Sequence, residues 1–144
     1  MIQLTIKNKK RIYMKKVVFV DDSKTVLLTA EMAMKPIIDN GNIEFISYEN
    51  PLELLDDVKS GKLIYDLLIT DINMPQMNGL DMAKELKHNP EYSSVKLKPI
   101  LALTTENATE KKQLAKEIGL TGWVTKPFSP DKLLMAVKRV LRLR

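Results

Sequence analysis

Leu67-Leu68-Ile69-Thr70-Asp71-Ile72-Asn73-Met74-Pro75 lies near the middle of the chain, and its reading governs the rest. Leu67 to Ile69 form an unbroken apolar run, which predicts a strand buried on both faces. Asp71 follows at the carboxyl end of that strand, and Pro75 with Asn78-Gly79 marks a turn into a helix carrying Leu80, Ala83 and Leu86. A strand covered on both sides needs like neighbours and helices over them, so strands and helices should alternate along both flanks.

They do. Val17-Val18-Phe19-Val20 reads as a first buried strand, followed by Leu27, Ala30, Met34, Ile37 and Ile38 at helical spacing up to Asn40-Gly41. Ile43 to Ser47 make a second strand. Asn50-Pro51 then caps a helix whose buried stripe is expected to be Leu52, Leu55 and Val58, with Gly61 as its stop. Beyond the central stretch, His88 to Lys98 read as a polar loop and Pro99 to Leu103 as a fourth strand. A helix with Leu114, Ala115 and Ile118, a strand over Gly122–Thr125 and a Ser129-capped helix with Leu133, Leu134, Val137, Val140 and Leu141 follow. Five βα units predict an α/β fold, a doubly wound five-stranded parallel sheet of flavodoxin-like order 2-1-3-4-5 with five helices.

The charge lies away from this pattern. Residues 1–16 carry six of the 23 cations (Lys7, Lys9, Lys10, Arg11, Lys15, Lys16) and no acid, leaving 17 cations against 18 acids elsewhere. Residues 1–14 are therefore expected to be a basic extension and 15–144 the folded domain. The basicity is that of a tail, so no nucleic-acid partner is expected. There is no cysteine, which removes disulfides and thiolate metal sites and fits a cytoplasmic protein. No apolar run is long enough to span a membrane.

In an open α/β sheet, ligands bind beyond the carboxyl ends of the strands. Asp21-Asp22 end the first strand, Asp71 the third and Thr104-Thr105 the fourth, while the fifth runs into Lys126-Pro127. Three carboxylates at one edge need a counter-ion, and an oxygen-only donor set suits Mg²⁺. Lys126 supplies a point charge for a phosphoryl oxygen, and a carboxylate can itself be the nucleophile. Taken singly the residues are ordinary: an Asp pair opens many loops, and Thr104, Thr105 or Asn107 could cap a helix.

Together, Asp21-Asp22, Asp71-Ile72-Asn73-Met74-Pro75 with Asn78-Gly79, Leu103-Thr104, and Gly122-Trp123-Val124-Thr125-Lys126-Pro127-Phe128 resemble the receiver domain of two-component response regulators. The resemblance spans residues 15–142 and looks most like the single-domain chemotaxis (CheY-like) regulators, since the last helix runs to the end of the chain. It implies that Asp71 is the phosphoacceptor, phosphorylated by a histidine kinase. It further implies that Asp22, Asp71 and the Asn73 backbone carbonyl bind Mg²⁺, with Asp21 holding one of its waters. Lys126 and Thr104 would contact the phosphoryl oxygens, and Thr104 and Trp123 would form the switch. A protein target would then bind on the face of the fourth strand, fourth helix and fifth strand. A cis Lys126-Pro127 bond and a monomer are expected.

The domain is expected to catalyse only its own phosphoryl transfer and dephosphorylation. Two departures stand out: Trp123 where the family more often has Tyr or Phe, and Pro36 late in the first helix, where it would kink or end that helix. The alternatives are a phosphorelay intermediate outside chemotaxis, a receiver cut from a longer protein, and a Mg²⁺-dependent aspartyl phosphatase. The last would want a second acid where Asn73 stands. His88, the only histidine, is expected at the surface; the methionines read mostly as core, with Met74 and Met77 as possible partner contacts.

Overall fold

The computed structural model describes residues 14–105 and 108–143. Most of the expected basic extension (1–13), together with Glu106, Asn107 and Arg144, lies outside the described residues. Five strands, β1 (Lys15–Val20), β2 (Ile43–Tyr48), β3 (Leu67–Asp71), β4 (Ile100–Thr104) and β5 (Gly122–Thr125), form one sheet in the order β2-β1-β3-β4-β5. All four pairings are parallel. The doubly wound fold expected from the sequence is therefore the one observed.

Six α-helices cover the sheet: α1 (Lys24–Ala33), α2 (Lys35–Asp39), α3 (Pro51–Lys59), α4 (Gly79–His88), α5 (Thr109–Ile118) and α6 (Pro130–Leu141). The expected count of five is corrected at Pro36. This residue has no N–H to donate, so the first helix ends at Ala33 and a second opens with Pro36 in its first turn. A 3₁₀ helix, Pro90–Val95, also replaces the expected polar loop, because Tyr92 and Val95 turn inward to pack.

Side chains alternate across each strand. Val18, Val20, Leu68, Ile100 and Ala102 face the core under α3, α4 and α5. Val17, Phe19, Leu67, Ile69, Leu101 and Leu103 face the one under α1, α2 and α6. The stripe of α3 is one step off the reading: Leu54 is buried and Leu52 is 46% exposed. Leu114 also faces outward. Met34, Met74 and Met82 are core residues as expected, whereas Met32 and Met135 are exposed.

Register delivers the site. Val20 lies opposite Thr70, Asp71 opposite Leu103, and Thr104 opposite Thr125. The residues just beyond these pairs, Asp21 and Lys126, thus emerge level with Asp71 and Thr104 on one edge of the sheet.

Candidate functional site at the carboxyl edge of the sheet

Asp21 leaves β1 with its side chain almost wholly buried, and both of its oxygens are engaged. Oδ1 accepts the Ser23 N–H at 2.9 Å and Oδ2 accepts the Lys126 ammonium at 2.9 Å. Ser23 is the N-cap of α1, so the helix start fixes the carboxylate. Asp71 closes β3; its Oδ1 accepts the Ile72 N–H at 2.8 Å and stands 3.2 Å from Lys126 Nζ. Asp22 is exposed, yet one carboxylate oxygen from each of Asp21, Asp22 and Asp71 lies within 4.8 Å of the others.

Three carboxylates thus face one ammonium. Burial raises the pKa of Asp71 above the ordinary carboxylate range, the Asp21 charge adds to this, and Lys126 and the Ile72 N–H only partly oppose it. Burial pulls Lys126 the other way, but its bonds and attraction to Asp21 and then Asp71 prevail, and its pKa stands above that of a free lysine. The cluster is short of positive charge. Its all-oxygen donor set has no His or Cys, and this is the chemistry of a hard divalent cation such as Mg²⁺.

Thr104, at the end of β4, is buried, and its hydroxyl has no hydrogen-bond partner among the described residues. Its backbone carbonyl accepts the Lys126 N–H at 2.6 Å, which ties the two strand ends together. A cavity of about 30 Å³ is lined by Asp71, Asn73, Thr104, Thr105, Lys111 and Lys126. That is room for a water or two. The larger grooves, near 420 and 430 Å³, run along α1 and α6 and hold none of the three carboxylates. The Lys126-Pro127 bond is cis, as expected. Trp123 is 43% exposed on β5, with Lys112 Nζ 5.5 Å from its ring centroid.

Two contributors escaped the sequence reading. An ideal Cβ on Gly79 would stand 1.9 Å from the Asp71 carbonyl oxygen, so only glycine lets the start of α4 approach β3, where its N–H donates to the Ile72 carbonyl at 2.7 Å. Asn78-Gly79 is visible as a turn, but nothing in a turn signal announces that closeness. Lys111, third residue of α5, donates to Asn73 Oδ1 at 2.9 Å. One lysine among many carries no such signal in sequence. His88 is exposed as expected, at the end of α4, with its Nε2 lying 3.0 Å from the Ile118 carbonyl.

Against this geometry, the response regulator receiver domain family matches residues 17–138, and the chain belongs to that family. It is a CheY-like receiver domain. The chain is 32% identical over 131 residues to the chemotaxis protein CheY1 of Helicobacter pylori, covering 88% of this chain and 96% of that one. The sensor histidine kinase CheAY of the same organism shares 32% identity across 88% of this chain but only 15% of the kinase. Among solved structures, the chemotaxis response regulator CheY4 of Vibrio cholerae matches with a TM-score of 0.73 and 37% identity, over 88% of this chain and 98% of that one. Among the described residues, no helix is long and apolar enough to cross a membrane.

Proposed function

We propose that the chain works as a single-domain response regulator in which Asp71 accepts a phosphoryl group from a phosphohistidine of a histidine kinase. The observation that carries this reading is the unpartnered, buried Thr104 hydroxyl on the cavity shared by Asp71 and Lys126. A donor held without an acceptor is costly unless a ligand supplies one. The carboxylate of Asp71 attacks phosphorus, a P–O bond forms, the P–N bond of the donor breaks, and the imidazole leaves with the electron pair. Lys126 leaves part of its contact with Asp71 for a phosphoryl oxygen. Asp21, Asp22, Asp71 and the Asn73 carbonyl would hold Mg²⁺, which when bound neutralises charge on the transferring group.

Phosphorylation gives Thr104 its acceptor. As the hydroxyl moves toward Asp71 it vacates space beside β5, and Trp123 turns inward from its exposed position. The face of β4, α5 and β5 changes shape, and a protein target reads the change. The likeness to CheY1 and CheY4 supports chemotaxis as the pathway. Asn73 stands where an aspartyl phosphatase would want a second acid, which disfavours turnover of external phosphomonoesters.

Radiolabelled acetyl phosphate with Mg²⁺ should label the protein once and quench or shift Trp123 emission. Asp71→Asn should abolish both signals; stoichiometric label on that variant would sink the assignment.

A further inference from the structure

We infer that Lys111 is a second cation of the phosphoryl site, parked on Asn73 in the free protein and transferred to a phosphoryl oxygen once Asp71 is modified. The inference rests on the proposed role of Asp71 and adds a residue to it. Lys111 lines the same cavity as Asp71, Thr104 and Lys126, and its ammonium is held at the mouth by the Asn73 side-chain oxygen, 2.9 Å away. That acceptor is a neutral amide. Among the described residues no carboxylate lies within ion-pair distance of Lys111.

Charge bookkeeping at the site gives the reason for it. Lys126 is already engaged by Asp21 and Asp71, at 2.9 and 3.2 Å. A phosphoryl group adds about −1.5 to −2 charges and three acceptor oxygens. Asp21, Asp22 and the phosphoryl group would together bring about −3.5 to −4 charges against the +3 of Lys126 and a bound Mg²⁺. Lys111 can add a charge-assisted bond by pivoting on a long, flexible stem that solvent already reaches.

Local helix chemistry points the same way. Lys111 is in the first turn of α5, where the exposed N–H groups of the helix disfavour a cation. Its next neighbour, Lys112, lies over Trp123 instead. A cation that its own helix does not favour, directed at a cavity lined by Asp71, is a local inconsistency of the kind that marks a site.

Beryllofluoride, a phosphoryl mimic that adds to a carboxylate, tests this with Mg²⁺ present and the bound ¹⁹F signal as readout. Lys111→Ala should raise the half-saturating concentration about tenfold, in keeping with the loss of one charge-assisted bond. Lys111→Arg should bring it back to within about twofold. Titration with Mg²⁺ alone should be unchanged or slightly tighter in Lys111→Ala, because a nearby positive charge has gone. Wild-type beryllofluoride affinity in Lys111→Ala, no recovery in Lys111→Arg, or an equal loss of Mg²⁺ affinity would each overturn the inference. If the unaltered protein shows no bound beryllofluoride, the reading of Asp71 fails first and takes this one with it.

Discussion

The carboxyl edge of the sheet has two halves that differ in how completely their polar groups are bonded. At the ends of β1 and β3, both oxygens of Asp21 and the Oδ1 of Asp71 are bonded, and Lys126 bridges the two carboxylates. At the ends of β4 and β5, the Thr104 hydroxyl has no partner among the described residues and Trp123, though part of the sheet, is 43% exposed. A group with every bond made has one favourable position. A buried donor without an acceptor gains a bond by moving to one that a ligand supplies. Under the proposed function the first half does the chemistry and the second half moves.

The fixed half should break hardest. Gly79→Ala puts a Cβ where the Asp71 carbonyl oxygen stands, and backbone, unlike a flexible side-chain tip, cannot yield cheaply. We expect a loss of about 3 kcal/mol in urea unfolding, at the upper end of overpacking effects, together with reduced labelling of Asp71. A loss under about 1 kcal/mol would mean that α4 can slide away from β3 and that this half is less rigid than its hydrogen bonds imply.

The movable half should respond with the opposite sign. Thr104→Val replaces the unpartnered hydroxyl by a methyl of nearly the same shape, which removes a buried donor with nothing to bond. Stability should rise by up to about 1 kcal/mol, while the Trp123 response to Mg²⁺ and acetyl phosphate collapses and labelling of Asp71 persists. A variant less stable than the unaltered protein would show that the hydroxyl is already satisfied in solution. The contrast between the two halves would then lose its physical basis.

This asymmetry also explains what could be read from sequence. The strands and the residues at their ends follow from apolar runs and turn signals, because burying a parallel strand on both faces demands a particular local composition. Their order follows from the fold that five successive βα units imply. Asp21, Asp71, Thr104 and Lys126 were legible because each directly follows or ends such a run. Gly79 and Lys111 were not, since their roles depend on a backbone approach and a side-chain reach between elements far apart in the chain. The same limit put Leu52 in the core in place of Leu54: an apolar stripe on a short helix admits more than one rotation, and packing against β1 and β2 chooses. Tyr92 and Val95 were missed because two buried residues in a polar stretch are too few to show a period.

The smallest expected effect is the finest probe of the movable half. Lys112 Nζ sits 5.5 Å from the Trp123 ring centroid, within cation–π range, and at a partly exposed site such a contact is worth about 0.5–1 kcal/mol. That amount is too little to matter for the fold, but it acts directly on the balance between outward and inward Trp123. Lys112→Ala should leave unfolding stability within about 0.5 kcal/mol. By freeing the ring it should lower the concentration of acetyl phosphate needed for half of the Trp123 response by about twofold to fivefold. Lys112→Arg should behave like the unaltered protein, because a guanidinium also stacks on indole. An unchanged half-response in Lys112→Ala would mean that the outward position of Trp123 is held by packing alone, and the two arrangements would then have to be told apart at Thr104.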